Sequence, residues 1–136
     1  MDFLKSLSIA ASGLRAQAGR MRIISENIAN ADSTAPTAAA NPYRRKIPTF
    51  VSELDREVDA QVVSLGRIQQ DQTDFRLKYE PGHPAADANG NVKYPNVNSL
   101  VEMMDMREAQ RSYEANINII SATRRMLQRT IDILKA

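Results

Sequence analysis

The chain has 136 residues, of which 43% are apolar and 25% are charged, values typical of one ordered domain. Aromatic residues make up only 5%, which leaves little material for a bulky core. The formal net charge is +2, distributed as +2, −1 and +1 over residues 1–31, 32–98 and 99–136. Because no segment concentrates positive charge, the composition excludes a stripe that neutralises nucleic-acid phosphates.

Cysteine is absent, which excludes disulfides and thiolate metal sites. No stretch approaches the roughly 18 consecutive apolar residues of a membrane-spanning helix. The N-terminal run 7–11 resembles the apolar part of a signal peptide. However, Asp2 stands where a basic residue is expected, and Arg15 interrupts the approach to the small residues 16–18. We therefore expect that this segment is retained.

The first thirty residues predict one amphipathic helix of about 28 residues. Apolar residues recur at alternating intervals of three and four, the heptad spacing of coiled-coil helices. Asp2 is the expected N-cap, and turn-forming residues between Asn30 and Ser33 are expected to end the helix. The predicted seam consists of Leu4, Leu7, Ala11, Leu14, Ala18, Met21, Ser25 and Ile28.

The middle of the chain has the composition of a loop followed by a small β-rich region. Residues 31–42 show no core-forming pattern and predict a flexible surface loop. Alternating apolar residues predict short strands over 58–62 and 75–79, and Asn89-Gly90 predicts a tight hairpin turn. We therefore interpret residues 43–95 as a β-rich insertion between two helices.

The last segment predicts a second helix of about 37 residues. Ser99 and Glu102 have the spacing of a capping box, and neither Gly nor Pro follows Pro95. Acidic residues lie early and basic residues late, as the helix dipole favours. The predicted seam consists of Met103, Met106, Gln110, Tyr113, Ile117, Ile120, Arg124, Leu127, Ile131 and Leu134.

These elements predict a mainly α fold with a small β-rich insertion. An N-terminal coiled-coil helix (1–31) and a C-terminal coiled-coil helix (99–136) are expected to pair, with a loop and β domain (32–98) between them. The helices would be roughly 42 and 55 Å long, whereas a compact chain of this size is only about 37 Å across. Their seams also contain many small or polar residues. We therefore expect an assembly protein whose terminal helices complete their folding on contact with other subunits.

Two segments have features of a catalytic or a calcium-binding site, but a turn explains each of them better. His83 is the only histidine, and without a nucleophile or an acid assigned by spacing it is better explained as a turn residue than as a general base. The segment that starts at Asp87 begins like a calcium-binding loop. It has Val92 and Asn98 where that loop requires Gly and Glu, so a plain turn is favoured.

Two further clusters are better explained by packing than by ligand binding. Met103, Met104 and Met106 have helical spacing, which favours seam residues over a soft-metal site. The basic run 44–46 favours a solvated strand edge or intersubunit salt bridges over phosphate binding. No nucleotide-binding, nucleophile or zinc motif is present. The sequence therefore predicts no enzyme, cofactor or metal.

Several motifs resemble those of the rod, hook and filament-joining proteins of the bacterial flagellum. Ser-Glu-Asn-Ile-Ala-Asn at 25–30 is similar to an Asn-rich motif of this family, and Pro-Tyr-Arg-Arg at 42–45, after an inserted loop, resembles the proximal-rod members. Tyr-Glu-Pro-Gly-His-Pro-Ala (79–85), Tyr-Pro-Asn-Val-Asn (94–98) and Arg-Ser-Tyr-Glu-Ala-Asn (111–116) are further matches. The resemblance covers nearly the whole chain.

The resemblance implies a structural subunit of the proximal rod of the flagellar basal body. Such subunits leave the cytosol uncleaved through the flagellum's own type III export channel and assemble into a helical rod that crosses the periplasm and transmits motor torque for motility. The implied partners are copies of the chain, neighbouring proximal and distal rod proteins and the export apparatus. No nucleic acid, small-molecule substrate or membrane span is implied. A soluble export adaptor or chaperone that binds through the same helices is the alternative.

The resemblance and the helix seams together predict the residues at subunit interfaces. Asn27, Asn30 and Asn116 would be polar seam groups that form hydrogen bonds between subunits, because an unpaired buried amide costs about 1–3 kcal/mol. Simple exposure on the helix surface is the alternative for these three residues. The full predicted set is Leu7, Leu14, Met21, Asn27, Ile28, Asn30, Tyr43, Arg44, Met103, Met106, Tyr113, Asn116, Ile117, Ile120, Leu127, Ile131 and Leu134.

Overall fold

The computed structural model describes residues 2–135 and contains two long helices separated by short strands. Helix α1 spans Phe3–Ala29 and helix α2 spans Ser99–Lys135. Neither helix within residues 2–135 combines the length and apolar character needed to cross a membrane. The predicted order of helix, β-rich region and helix is confirmed. The strands are β1 (Lys46–Ile47), β2 (Phe50–Asp55), β3 (Ala60–Leu65), β4 (Gln69–Gln70), β5 (Arg76–Tyr79) and β6 (Asn91–Tyr94).

The chain forms two compact units, and each helix contributes to both. The first unit combines the residues up to Met21 with Thr49–Arg67 and the residues from Arg107 onward. The second unit combines Arg22–Pro48 with Ile68–Met106. Strands β2 and β3 therefore belong to the first unit, and the other four strands belong to the second.

Side chains of the preceding residues cap both helices. Asp2 Oδ1 accepts hydrogen bonds from the amides of Leu4 (3.1 Å) and Lys5 (3.2 Å), which confirms the predicted N-cap of α1. The capping box predicted for α2 is wrong. Asn98 Oδ1 is the acceptor there, 3.1 Å from the Leu100 amide, and the carboxylate of Glu102 turns into the protein instead.

In the first unit the two helices run antiparallel with small residues at their contact. Asn116 packs directly over Gly13, where an added Cβ would lie 2.9 Å from Asn116 Nδ2. Farther along, Arg20 pairs with Glu108 at 3.6 Å. Because the partner on α2 moves backward as α1 moves forward, the helices are antiparallel. A glycine at this point lets the two helices approach closely.

Strands β2 and β3 form an antiparallel hairpin that packs on α1 within the first unit. Its register places Phe50 opposite Leu65 and Asp55 opposite Ala60. Ser12 Oγ accepts a hydrogen bond from the Val63 amide (3.2 Å). A small helix residue therefore satisfies a strand amide at the contact.

The turn of this hairpin corrects one predicted strand boundary. Val58 lies in the turn 56–59, and the strand begins at Ala60 rather than at residue 58. Asp55 Oδ1 accepts from the Glu57 amide (3.0 Å), and Asp59 has φ of 49°, the left-handed conformation. The chain must turn back here, so the apolar alternation at 58–62 starts within the turn.

The second unit holds two further antiparallel pairs, β1 with β4 and β5 with β6. The turn predicted at Asn89-Gly90 is confirmed, but it is not a tight hairpin, because it ends a longer connection (80–90) between β5 and β6. Gly90 has φ of 80° and ends a turn in which its amide bonds to the Asp87 carbonyl (3.0 Å). Phe75 precedes β5 rather than starting it. The buried apolar side chains of this unit include Ile23, Ile24, Val92 and Val97.

Candidate subunit interface

Asn27 lies at the centre of a buried polar network in the second unit. Its side chain is fully buried, and its Nδ2 donates to the Lys46 carbonyl (2.8 Å) and to Glu102 (3.1 Å). Its Oδ1 accepts from the Tyr43 hydroxyl (2.7 Å) and from the Lys46 amide (3.0 Å). These four bonds satisfy the complete hydrogen-bonding capacity of an asparagine amide. Asn27 therefore forms its hydrogen bonds within the chain, unlike the intersubunit bonds expected from the sequence.

Tyr43 is held in this network by its neighbours and by their charges. Burial, followed by the negative charges of Glu26 and Glu102, raises the pKa of Tyr43 to about 12. Lys46 pairs with Glu26 on the same side of the network. The segment 43–46 is thereby fixed to the end of α1 by Asn27 and Glu26.

Arg45 connects this segment to the start of α2. Its Nε donates to Glu102 Oε1 at 2.5 Å, and its terminal nitrogens lie 3.4 Å from Asp71 and 3.8 Å from Asp105. Burial opposes the charged form, but hydrogen bonds and charges from Glu102 and Asp71 outweigh it and raise the pKa of Arg45. A buried carboxylate is thus paired with a cation, as burial of a charge requires.

Asn96 and Asp71 extend the network into the loop before β5. Asn96 Oδ1 accepts from the Arg45 amide (2.8 Å), while its Nδ2 donates to the carbonyls of Asp71 (3.0 Å) and Thr73 (3.1 Å). A hydrogen bond from the Thr73 amide is the largest cause of the lowered pKa of Asp71, and Arg45 adds to it. The loop 71–73 is therefore tied to the segment that carries Tyr43 and Arg44.

Arg44 is the one predicted interface residue whose charge stays uncompensated in this region. Its Nη1 donates to the carbonyls of Asp71 (2.8 Å) and Thr73 (3.1 Å), and its guanidinium lies 4.4 Å from the centre of the Phe75 ring. No carboxylate oxygen within residues 2–135 lies within 4.0 Å of its guanidinium nitrogens. The side chain is fixed in place but keeps its positive charge.

The sequence reasoning missed Arg45, Glu102, Asp71 and Asn96 as members of the network. The basic run 44–46 indicates that charge matters there, and the sequence pattern indicates Glu102 only as a capping residue. Glu102 lies 57 residues from Arg45 and 75 from Asn27, and Asp71 lies 26 from Arg45, so no local spacing reveals these pairs. Only the fold brings these residues together.

Helix α2 buries a heptad face, but half of it differs from the predicted seam. Its most buried residues within 99–135 are Glu102, Ala109 and Thr123, and half-buried Asn116 completes a series with intervals of seven residues.

Half of the predicted seam agrees with this face. The alternating heptad positions Met106, Tyr113 and Ile120 are half-buried, as the predicted seam requires. The predicted positions one residue later, including Met103, Gln110, Ile117 and Arg124, are exposed. Small and polar residues occupy the inward positions, and two of their exposed neighbours, Met103 and Ile117, are apolar.

Helix α1 shows the same displacement toward small residues. Ala10, Ser12, Ala16, Ile23, Ile24 and Asn27 are its buried residues. The predicted seam members Leu4, Ala18 and Ser25 are exposed, and the remaining five are half-buried. The first half of α1 therefore buries small side chains, whereas its last turns also bury Ile23 and Ile24.

The predicted interface residues therefore divide into three groups by exposure. Asn27 alone is buried. Most are half-buried, which leaves part of each side chain available to a neighbour: Leu7, Leu14, Met21, Ile28, Asn30, Tyr43, Arg44, Met106, Tyr113, Asn116 and Ile120. The exposed members all lie on α2 and are apolar: Met103, Ile117, Leu127, Ile131 and Leu134.

Asn30 and Asn116 each return one amide hydrogen to their own helix. Asn30 Nδ2 donates to the Glu26 carbonyl (2.8 Å), and Asn116 Nδ2 donates to the Ser112 carbonyl (3.0 Å). Both side chains are half-buried rather than fully exposed. Their role between subunits remains a prediction.

His83 belongs to a turn, as expected. Its Nδ1 accepts from the Ala85 amide (3.0 Å), its Nε2 lies 3.4 Å from Thr34 Oγ1, and its backbone amide bonds to the Glu80 carbonyl (3.0 Å). Both ring nitrogens are therefore engaged in local structure. No group of three or more histidine, cysteine or acidic side chains suited to a metal ion occurs within residues 2–135.

The two ends of the chain, which contain the helices, each match a known protein family. The family described as "Flagella basal body rod protein" matches residues 7–35, and "Flagellar basal body rod FlgEFG protein C-terminal" matches residues 88–133. The chain is 56% identical to the flagellar basal-body rod protein FlgC of Agrobacterium fabrum, over 100% of this chain and 99% of that protein. It is 37% identical to FlgC of Bacillus subtilis, over 99% of this chain and 100% of that protein. It is 38% identical to FlgC of Salmonella typhimurium, over 98% of both chains.

Proposed function

Because the chain belongs to the family of flagellar basal-body rod proteins FlgC, and is therefore a structural rod subunit and not an enzyme, we propose that it assembles through its two terminal helices. The observation that carries this proposal is the apolar exposure of α2. Ile117, Leu127, Ile131 and Leu134 are between 36% and 81% exposed in the single chain. Leu127, Ile131 and Leu134 have the i, i+4, i+7 spacing of one helix face, and an exposed apolar stripe of this kind favours a protein–protein contact.

Contacts between rod subunits are heterologous and head-to-tail, because two-fold interfaces close on themselves and cannot extend a filament. In the assembled rod the exposed apolar face of α2 packs in coiled-coil fashion against helices of neighbouring subunits. The helix ends that are exposed in the single chain, notably residues 124–135, gain their packing there. The half-buried and exposed residues of the predicted set form these contacts.

The place of the subunit in the flagellum follows the family resemblance. The chain lies in the proximal rod, which crosses the periplasm, and it passes torque from the motor toward the hook. Its neighbours are copies of itself and other proximal and distal rod proteins. It reaches this position through the flagellar type III export apparatus without loss of its N-terminal segment. The pattern at 25–30 and 42–45 supports this assignment within the axial family.

The alternative of an export adaptor or chaperone is not favoured, because the similar full-length proteins are rod proteins. Sedimentation separates the two functions. An adaptor forms a small closed oligomer, whereas a rod subunit remains monomeric or grows into fibres.

The proposed function is tested by interrupting α2 at an exposed position. Gln110 lies far from both ends of α2, and its side chain is exposed. Gln110→Pro destabilises the helix by about 3 kcal/mol or more, because proline removes a helix hydrogen bond and clashes with the preceding turn. We expect cells that carry only this variant to lose swimming and rod assembly. Gln110→Ala, which preserves the helix, is the control and keeps both. Normal motility of the proline variant would contradict assembly through α2.

A further inference from the structure

An open groove of about 590 Å³ lies beside the polar network of the second unit. Tyr43, Arg44 and Lys46 line one part of it, and Glu26, Asn41 and Phe75 line others. The groove is polar and open to solvent, so it is suited to another polypeptide surface rather than to an enclosed small molecule.

Arg44 is the feature that gives this groove its specificity. Two backbone carbonyls fix its Nη1, and its guanidinium carbon lies over the Phe75 ring, 4.4 Å from the ring centre. Its Nε and Nη2 have no hydrogen-bond partner within residues 2–135. A guanidinium with one edge fixed and another edge free has already lost much of the freedom that binding would otherwise remove.

The charge around the groove favours a carboxylate. Glu26 already pairs with Lys46, so these two lining charges compensate each other. Arg44 is the remaining charge of the lining, and it is positive. Arginine with a free edge binds a carboxylate through two parallel hydrogen bonds, the strongest ordinary ion pair in proteins.

The chain itself carries a surface of the opposite charge at the tip of the β2–β3 hairpin. Residues 53–59 contain four acidic side chains and one basic side chain. Asp55 caps the turn and Asp59 pairs with Lys5 at 3.5 Å, whereas Glu53 and Glu57 are exposed and form no ion pair within residues 2–135. Leu54, beside Glu53 on β2, is 54% exposed and adds an apolar side chain to this surface.

We infer that the groove beside Arg44 receives the acidic tip of the β2–β3 hairpin from a second copy of this chain, with Glu57 as the carboxylate that pairs with Arg44. This inference rests on the proposed function, since it names one contact of the head-to-tail assembly. The groove and the hairpin tip are different surfaces, so each copy binds one neighbour through its groove and another neighbour through its tip. Such a contact extends an assembly rather than closing it.

The absence of cysteine allows a direct test of this contact. Asn41→Cys places a thiol at the groove, and Arg56→Cys places one at the hairpin tip; both native side chains are exposed. The two variants, with tags of different mass, are co-expressed, and isolated basal bodies are treated with a short thiol-specific cross-linker. We expect a covalent dimer that contains one chain of each kind. Because each chain has a single thiol, this dimer cannot arise within one molecule.

Charge reversal then tests the assigned pair. Arg44→Glu in the groove chain lowers the yield of mixed dimer about tenfold or more, and Glu57→Arg in the hairpin chain restores it. Arg67→Glu in the groove chain makes the same charge change at an exposed arginine outside the groove lining and leaves the yield unchanged. Loss without restoration, or equal loss with Arg67→Glu, would overturn the inference.

Swimming and recovery of basal bodies report the proposed function separately. Basal bodies that form normally but give no mixed dimer overturn the contact and leave the rod function standing. If Arg44→Glu prevents assembly, the purified full-length chains are cross-linked in concentrated solution instead. There, restoration by Glu57→Arg supports the pair, and its failure refutes it.

Discussion

Nε of Arg45 lies 2.5 Å from a carboxylate oxygen of Glu102, whose side chain is only 1% exposed. The other oxygen of Glu102 accepts from Asn27, so one carboxylate joins the end of α1, the segment before β1 and the first turn of α2. A charge buried this deeply is tolerated only when both of its oxygens have partners. The second unit is therefore organised around an ion pair as well as an apolar core.

Removal of Glu102 is expected to be strongly destabilising. Glu102→Ala leaves Arg45 and Asn27 without their buried acceptor and lowers the free energy of unfolding by about 3 kcal/mol or more. Glu108→Ala is the matched control, because Glu108 is 68% exposed and pairs loosely with Arg20 at 3.6 Å. That variant is expected to lose less than about 1 kcal/mol. Urea unfolding followed by circular dichroism measures both, and equal losses would contradict the role of Glu102.

The stability of the second unit is expected to fall in strong alkali through Tyr43. Its pKa is raised from 10.0 to about 12, so folding favours the neutral phenol. This contribution is fully present below pH 10 and is lost as the pH rises through about 12. An ultraviolet titration of phenolate formation in the folded chain should show this tyrosine ionising late.

Two variants identify the late-titrating group. Tyr43→Phe removes it from the titration, whereas Tyr79→Phe, at a residue that is 70% exposed, leaves it in place. Tyr43→Phe also removes the 2.7 Å bond to Asn27 and costs about 1 kcal/mol. A hydrogen bond to Glu80 also raises the pKa of Tyr94, so the amplitude of the late transition is the measurement. An amplitude that Tyr43→Phe leaves unchanged would contradict the assignment to Tyr43.

The N-cap of α2 distinguishes the structure from the sequence pattern. Asn98→Ala removes the side-chain acceptor of the Leu100 amide and is expected to cost about 1 kcal/mol. Ser99→Ala is expected to cost little, since Ser99 is exposed and its side chain makes no capping bond. Thermal unfolding of the two variants measures the difference. The reverse order would restore the capping box that the sequence suggested.

The sequence predicts the helices well because their evidence is local. The bounds of α1 follow from its N-cap and its turn residues, and the length of α2 follows from heptad spacing without Gly or Pro; the structure gives Phe3–Ala29 and Ser99–Lys135. The prediction of the buried face of α2 is wrong at half of its positions. The residues buried there, Glu102, Ala109, Asn116 and Thr123, carry polar or small side chains. A count of apolar residues passes over such positions and selects their larger neighbours.

The polar network was beyond prediction for a different reason. Arg45 and Glu102 are 57 residues apart, and Asn27 and Glu102 are 75 residues apart. Charge patterns along a sequence show which residues carry charge but not which pairs the fold makes. The same limit explains why Asn27, expected to bind between subunits, makes all its bonds inside the chain.

The contact between Gly13 and Asn116 allows a test of close packing by a double-mutant cycle. An added Cβ at Gly13 would lie 2.9 Å from Asn116 Nδ2 and 3.0 Å from its Oδ1, so Gly13→Ala displaces that side chain. The same change improves the helix propensity of α1 by about 1 kcal/mol. In the native background the two effects oppose each other, and in the Asn116→Ala background only the propensity gain remains.

We expect Gly13→Ala to stabilise the Asn116→Ala chain by about 1 kcal/mol and to stabilise the native chain less or not at all. Urea unfolding of the four chains gives the coupling energy. An equal gain in both backgrounds would show that Asn116 does not pack on Gly13.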